Sequence, residues 1–192
     1  MAKDLMFREE IKDSVRQAYS AITTGGGEAV ARRFYTDDEL AQVPAGAVGW
    51  SLSVGNPVRY ACLEPGETIL DVGSGGGIDT ILAARRVGPD GKAVGLDILE
   101  EMCERGRRHA AEAGVEGWTE FVTGEMEDIP LPDESIDVVI SNGVLNLSAR
   151  KSRALAEMFR LLRPGGRICM ADLTIEGQLP PEIVNDQSAW AG

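Results

Sequence analysis

Two acids on either side of a glycine run carry the most chemical information in this 192-residue sequence. Asp71 ends the apolar stretch Ile69-Leu70 and is followed by Val72-Gly73-Ser74-Gly75-Gly76-Gly77-Ile78. Asp97 ends a second apolar stretch, Ala93-Val94-Gly95-Leu96, about 20 residues past Gly77. An apolar run, a glycine turn and a further apolar segment (Ile81, Leu82, Ala83, Ala84) read as buried strand, tight turn and helix N-terminus. That corner is where open α/β sheets bind nucleotide-like ligands. Glycine lets the backbone turn with φ > 0 and lets a ligand press against it where no Cβ intervenes.

The charges narrow the ligand. A carboxylate at Asp71 aimed at a pyrophosphate would cost on the order of 4 kcal/mol per charge pair at close range and intermediate dielectric. The same carboxylate attracts an ammonium or sulfonium ion, and S-adenosylmethionine carries both cations and no phosphate. Asp97, at the tip of the next strand, is spaced to accept the two ribose hydroxyls. Ile78 stands where the dinucleotide fingerprint Gly-x-Gly-x-x-Gly requires a small residue. Asp71 and Ile78 together disfavour a nicotinamide oxidoreductase and predict an S-adenosylmethionine site.

Those residues need a scaffold, and the composition supplies one. Apolar residues make up 43% of the chain, ordinary for a globular domain with a sizeable core. Net charge is −12, with the acids spread along the chain, so nucleic acids and anionic membranes should be repelled. No apolar stretch reaches about 18 residues, and Met1-Ala2-Lys3-Asp4 opens no signal peptide. Cys62, Cys103 and Cys169 have neither metal-site nor disulfide spacing, so no metal is expected, and they read as reduced thiols of a cytoplasmic protein. His109, amid Arg107, Arg108 and Glu112, reads as a solvated helix residue.

Taken in order, Phe7, Ile11, Val15, Ala18, Tyr19 and Ile22 recur at helical spacing, and Gly25-Gly26-Gly27 ends that helix. Thr36-Asp37-Asp38-Glu39 has capping-box spacing. Residues Pro44 to Gly55 read as irregular, anchored by Trp50, and Asn56-Pro57 reads as a helix start reaching about Leu63. Strand one ends at the glycine loop and strand two at Asp97. A helix then spans Glu100 to Ala113, and strand three spans Thr119 to Thr123. Strand four is expected over Ser135–Ser141, a helix capped by Ser148 up to about Leu162, and strand five over Ile168–Leu173. Strands alternating with helices predict an α/β fold, a Rossmann-like doubly wound parallel sheet. The division expected is an N-terminal helical cap over 1–63, a binding core over 64–174 and a tail over 175–192.

From Glu67 to Asp172 the chain resembles the class I S-adenosylmethionine-dependent methyltransferases. Within that class it is most similar to the arsenite methyltransferases. The likeness is carried by Ser51-Leu52-Ser53-Val54-Gly55-Asn56-Pro57, by Gly124-Glu125-Met126-Glu127-Asp128-Ile129-Pro130, by Ile140-Ser141-Asn142-Gly143-Val144-Leu145-Asn146 and by Leu162-Arg163-Pro164-Gly165-Gly166. The tail segments Leu179-Pro180-Pro181 and Ala189-Trp190-Ala191-Gly192 continue it. The resemblance implies Asp71 and Gly73 near the methionine end of the cofactor, with Gly75 and Gly77 shaping the loop. It implies Asp97 at the ribose, Ile98 on an adenine face, Glu125 and the Met126 amide at the adenine edge, and Asn142 below the sulfonium.

Two departures accompany it. Where arsenite methyltransferases place thiolates for the trivalent metalloid, this chain has Val54 and Gly143, and a third cysteine would follow an Ala-Gly pair such as Ala191-Gly192. The class I sheet also carries two strands after strand five, for which the residues beyond Leu173 are too few. The expectation is therefore a methyltransferase acting on a small molecule other than arsenite. The alternative is a catalytically silent S-adenosylmethionine-binding subunit that needs a partner chain. Methyl transfer needs positioning more than acid–base chemistry, which leaves Trp50, Asn142 and Asn146, with Ser53 and Asn56, as residues to face the reacting centre. Trp50 as a packing anchor, Asn56 as a helix cap, Asn146 as a loop hydrogen-bonder and Glu125–Asp128 as a solvated acidic loop are the competing structural readings. Strand five, apolar on both faces through Ile168-Cys169-Met170-Ala171, predicts self-association or a heterologous partner along its edge.

Overall fold

Ile69, Leu70, Val138, Val139 and Ile140 are wholly buried, so the strands that carry them must be covered on both faces. The computed structural model describes residues 10, 12–17, 26–174 and 176–177. Five strands, β1 (Thr68–Val72), β2 (Lys92–Asp97), β3 (Thr119–Thr123), β4 (Ile136–Asn142) and β5 (Leu162–Ala171), form one sheet in the order β3-β2-β1-β4-β5. Every pairing is parallel. This is the α/β, Rossmann-like sheet expected, and among the described residues it has five strands.

Helix α1 covers 12–17, followed by α2 (Gly27–Ala31), α3 (Asp37–Leu40), α4 (Ala45–Gly49) and α5 (Pro57–Tyr60). The longer helices are α6 (Ile78–Val87), α7 (Glu100–Glu112) and α8 (Lys151–Leu161). The strands' two-residue alternation sends Ile69, Ala93, Val138 and Ile140 to one face, where they pack with α6, α7 and the short N-terminal helices. Leu70, Val72, Val94, Leu96 and Val139 go to the other face and meet Met158 and Leu161 of α8. The chain moves outward from β1 through β2 to β3 and returns to β4 on the opposite side of β1. The crevice therefore opens at the carboxyl ends of β1 and β4, the topological switch point.

Several local expectations hold. Thr36 and Glu39 form the reciprocal capping box of α3. The side chain of Asn56 accepts from Arg59 N at 3.0 Å, capping α5, whose first residue is Pro57. Others need correction. The Pro44–Gly55 stretch is not wholly irregular: α4 forms there because Ala47 and Val48 bury against the core. α5 stops at Tyr60, short of Leu63.

Ser148 does not cap α8. Its hydroxyl donates to Glu127 Oε1 at 2.5 Å, and the helix begins three residues later at Lys151. β5 starts at Leu162 and stops at Ala171, not Leu173. Leu162 pairs with Ile136 before the Arg163–Gly166 turn shifts the register and pairing resumes at Arg167. His109 is buried rather than solvated, for a reason that belongs to the site. Tyr19, the greater part of the N-terminal helical repeat and the 178–192 tail lie outside the described residues. No described helix is long and apolar enough to cross a membrane.

Candidate functional site

The crevice at the switch point is walled by the glycine loop, the tips of β1, β2 and β4, and residues from α1, α4 and the 51–53 segment. The loop leaves β1 and continues to pair with β2: Gly73 N and Ser74 N both donate to Leu96 O, at 2.8 and 2.9 Å. It then turns, with Gly75 at φ 51° and Gly77 at φ 88°, values that a residue with Cβ adopts only under strain. A Cβ on Gly75 would meet no protein atom within 4 Å, so the loop presents bare backbone to open space there. Gly77 starts α6.

Asp97 holds this turn in shape. Its Oδ2 accepts from Gly75 N and its Oδ1 from Leu99 N, each at 2.9 Å. Burial pushes its carboxyl above the ordinary range, while the Leu99 and Gly75 amides pull it back. From the outer side His109 Nδ1 lies 2.8 Å from Gly76 O. A carbonyl can only accept, so Nδ1 carries the hydrogen, and burying the ring on α7 fastens that helix to the loop. Trp50 Cβ would lie 3.0 Å from a Cβ on Gly76, and the Arg105 guanidinium stacks over the Trp50 ring, 3.5 Å from its centroid.

Inside the loop two carboxylates are buried. Asp71 accepts from Thr80 Oγ at 2.6 Å. Asp79 accepts from Tyr35 OH at 2.8 Å and from Asn142 Nδ2 at 2.9 Å. Burial, with the charge of Asp79 next, pushes Asp71 up to about 8. Burial also raises Asp79, to about 6, against the donors Asn142 and Tyr35. Asp79 and Tyr35 had no role assigned from sequence, and Glu127, within the stretch that also reads as a solvated acidic loop, is instead buried and accepts from Ser148 Oγ. An acid in the first turn of α6 reads there as complementing the helix dipole, and nothing local marks it as buried.

The predicted residues divide. Asp71, Gly73, Gly75, Asp97, Ile98, Met126, Asn142 and Trp50 all line the crevice. Gly77 shapes the loop from behind, its Cβ position 3.2 Å from Phe121 Cζ. Glu125 is not among the residues lining the crevice: its carboxylate pairs with Lys12 and Arg16 of α1, and Glu127 lines the wall. Asn146 turns away, donating to Asp172 Oδ1 at 2.9 Å, and Asn56 is the cap of α5. Asn142 is at the wall, but its Oδ1 already accepts from Val54 N and Gly55 N, at 3.0 and 3.2 Å.

Three observations test whether these residues suit S-adenosylmethionine. The bare turn at Gly75 admits a close ligand, and two buried carboxylates lack an ion-pair partner among the described residues. Ser74 Oγ, in the loop and on the crevice wall, is buried with no hydrogen-bond partner among the described residues. All three fit a cationic ligand with hydrogen-bonding groups. Carboxylates facing inward do not fit a phosphate.

Comparison with known proteins agrees. A family described as a methyltransferase domain matches residues 63–192. The arsenite methyltransferase of Halobacterium salinarum is 36% identical over 96% of this chain and 52% of its own length. The demethylmenaquinone methyltransferase of Symbiobacterium thermophilum is 42% identical over 59% of this chain and 45% of its own. Among solved structures, an arsenic(III) S-adenosylmethionine methyltransferase from Chlamydomonas reinhardtii superposes with a TM-score of 0.69 at 34% identity, over 80% of this chain and 56% of that one. The chain thus spans about half the length of the curated relatives it matches.

Proposed function

Because the chain belongs to the class I S-adenosylmethionine-dependent methyltransferases, we propose that it binds S-adenosylmethionine in the β1/β4 crevice and transfers its methyl group to a small-molecule acceptor. The observation that carries this reading is the pair Asp71 and Asp97 at adjacent strand tips, on either side of a glycine turn that leaves room for a ligand. Asp71, the loop backbone and Ser74 would receive the amino-acid end, and Asp97 the ribose. Ile98, Leu99 and Met102 offer an apolar wall for the base, with the Met126 backbone beside it. Bound there, the cofactor supplies an activated methyl group. The chain's part is to orient it, exclude water with Trp50 and α1, and hold the acceptor in line. The position of α1, with Lys12 and Val15 on the crevice wall, supports residues 1–63 as a cap over the core.

The acceptor we propose is an organic molecule rather than trivalent arsenic. A Cβ on Gly143, which lines the crevice, would lie 3.3 Å from Val54 Cγ2, so the two positions face each other, and neither side chain offers a lone pair. A soft metalloid prefers thiolates. The free cysteines among the described residues, Cys62, Cys103 and Cys169, do not line the crevice.

Phe159, Leu173 and Met170 are exposed along β5 and α8, which supports a second protein surface, a copy of this chain or another protein, on that edge. Three free thiols, one of them exposed, suit the reducing cytoplasm. Calorimetry tests the reading: S-adenosylmethionine and S-adenosylhomocysteine should bind and NAD should not. Turnover against a mixture of small organic acceptors should follow. Binding without turnover would favour the silent subunit instead.

A further inference from the structure

The crevice wall holds two acids beyond Asp71 and Asp97: Glu127, whose carboxylate accepts from Ser148 Oγ, and Asp79, which no part of the reading above uses. Asp79, in the first turn of α6, is 3% exposed and lines the same wall as Asp71. Three separate parts of the chain converge to hold it: Tyr35 from the segment after α2, Asn142 from the end of β4, and Ser53, whose hydroxyl lies 3.1 Å from Tyr35 OH. Both groups touching the carboxylate can donate to it, which favours the ionised form. The titratable groups facing it are Tyr35, Glu39 of α3, and Asp71, with Asp97 beyond Asp71. Lys12 lines the same crevice, and its ammonium is engaged with Glu125. A buried carboxylate held ready to ionise beside a second one, with no counter-ion among the described residues, costs stability and suits a cationic ligand.

Resting on the S-adenosylmethionine reading above, we infer that Asp79 is a specificity-determining residue: with Asp71 it supplies the counter-charge for the sulfonium form of the cofactor and makes the crevice prefer that form to the neutral-sulfur product. The two ligands share the adenosine, the ammonium and the carboxylate. They differ by a methyl group and one positive charge, and a second acid is the feature that responds to that charge. Methyl transfer leaves an uncompensated carboxylate behind, which weakens the hold on S-adenosylhomocysteine and favours its release.

The test is titration calorimetry of the full chain with S-adenosylmethionine and S-adenosylhomocysteine from pH 5 to 9, repeated in buffers of different ionisation heat. In the parent protein the preference for the sulfonium ligand should grow with pH, by up to about tenfold per unit where one proton is released on binding. Asp79→Asn should weaken S-adenosylmethionine by about 10- to 100-fold and S-adenosylhomocysteine by only a few-fold. Tyr35→Phe should keep the preference and move its onset to higher pH. A preference independent of pH in the parent would overturn the assignment, whether or not the variants fold. So would an Asp79→Asn protein that binds both ligands as the parent does but turns over slowly, which would make Asp79 an acceptor-side base. Failure of the parent to bind either ligand would overturn the methyltransferase reading, and this inference with it.

Discussion

Asn142 Nδ2, at the end of β4, donates to Asp79 Oδ2 at 2.9 Å, while the Oδ1 of the same asparagine accepts from Val54 N and Gly55 N. One amide thus joins the acid of the crevice to the loop carrying Val54. Asn142→Asp keeps the shape and turns a donor into a second acid. It should cost about 1–3 kcal/mol, because the buried partner loses its hydrogen bond. Denaturant melts should show a larger deficit at pH 8, where both groups are driven to ionise, than at pH 5. An equal deficit at both would mean that Asn142 acts through packing alone.

Asp71 and Asp79 make ligand-free stability depend on pH in a defined direction. Both carboxyls are raised in the folded chain above the unfolded value, to about 8 and about 6. The folded state then holds more protons than the unfolded one between roughly pH 4 and 8, so stability falls as pH rises through that window. Asp71→Asn should raise the melting temperature at pH 8, leave it nearly unchanged at pH 4, and abolish stabilisation by S-adenosylmethionine. A variant less stable than the parent at pH 8 contradicts this.

Asp97→Ala removes the acceptor for both Gly75 N and Leu99 N and unties the loop. Its affinity for S-adenosylhomocysteine should fall at least tenfold, since charge-assisted hydrogen bonds are worth roughly 1.5–3 kcal/mol each. An unaltered dissociation constant would refute the ribose assignment. Gly75→Val fills the open space beside the loop and strains φ 51°. It too should lose binding while the far-ultraviolet circular dichroism stays native.

Val54→Cys with Gly143→Cys would place two sulfurs across the gap where a Gly143 Cβ lies 3.3 Å from Val54 Cγ2. The reduced double variant should gain affinity for trivalent arsenic, measured by thiol protection, while the parent shows only what three scattered cysteines give. Arsenite methylation by the parent at rates typical of the arsenite enzymes would show the acceptor proposal to be wrong.

The β5 edge should carry a protein contact. Phe159 of α8 is 75% exposed, and Phe159→Ser should shift sedimentation toward monomer if the contact is between copies and includes that helix. A monomeric parent whose Ile168–Ala171 amides are nonetheless protected from hydrogen exchange would assign the cover to the chain's own tail.

How far the sequence reached follows from the range of each interaction. Strand ends were legible because an apolar run stopping at an acid before glycines is a local pattern: Asp97 closes β2, and Asp71 stands one residue before the end of β1 at Val72. The caps at Thr36 and Asn56 were legible because a helix N-terminus is satisfied within three residues. Ser148 had the same local signature and was claimed instead by Glu127, 21 positions away. Glu125, read as facing the ligand, was drawn to Lys12 and Arg16, more than 100 positions distant. His109, among charged neighbours, is buried because the neighbour that matters is Gly76 O across the crevice wall. Asp79 was silent for the same reason: Tyr35, Asn142 and Asp71 reach it only once β1 and β4 lie side by side. The sequence alone determined the strands, the glycine turn and the acids at its ends, because those depend on neighbours along the chain. Which acids are buried, which are paired and which are left facing a ligand was decided by the tertiary structure, because burial and charge act through space.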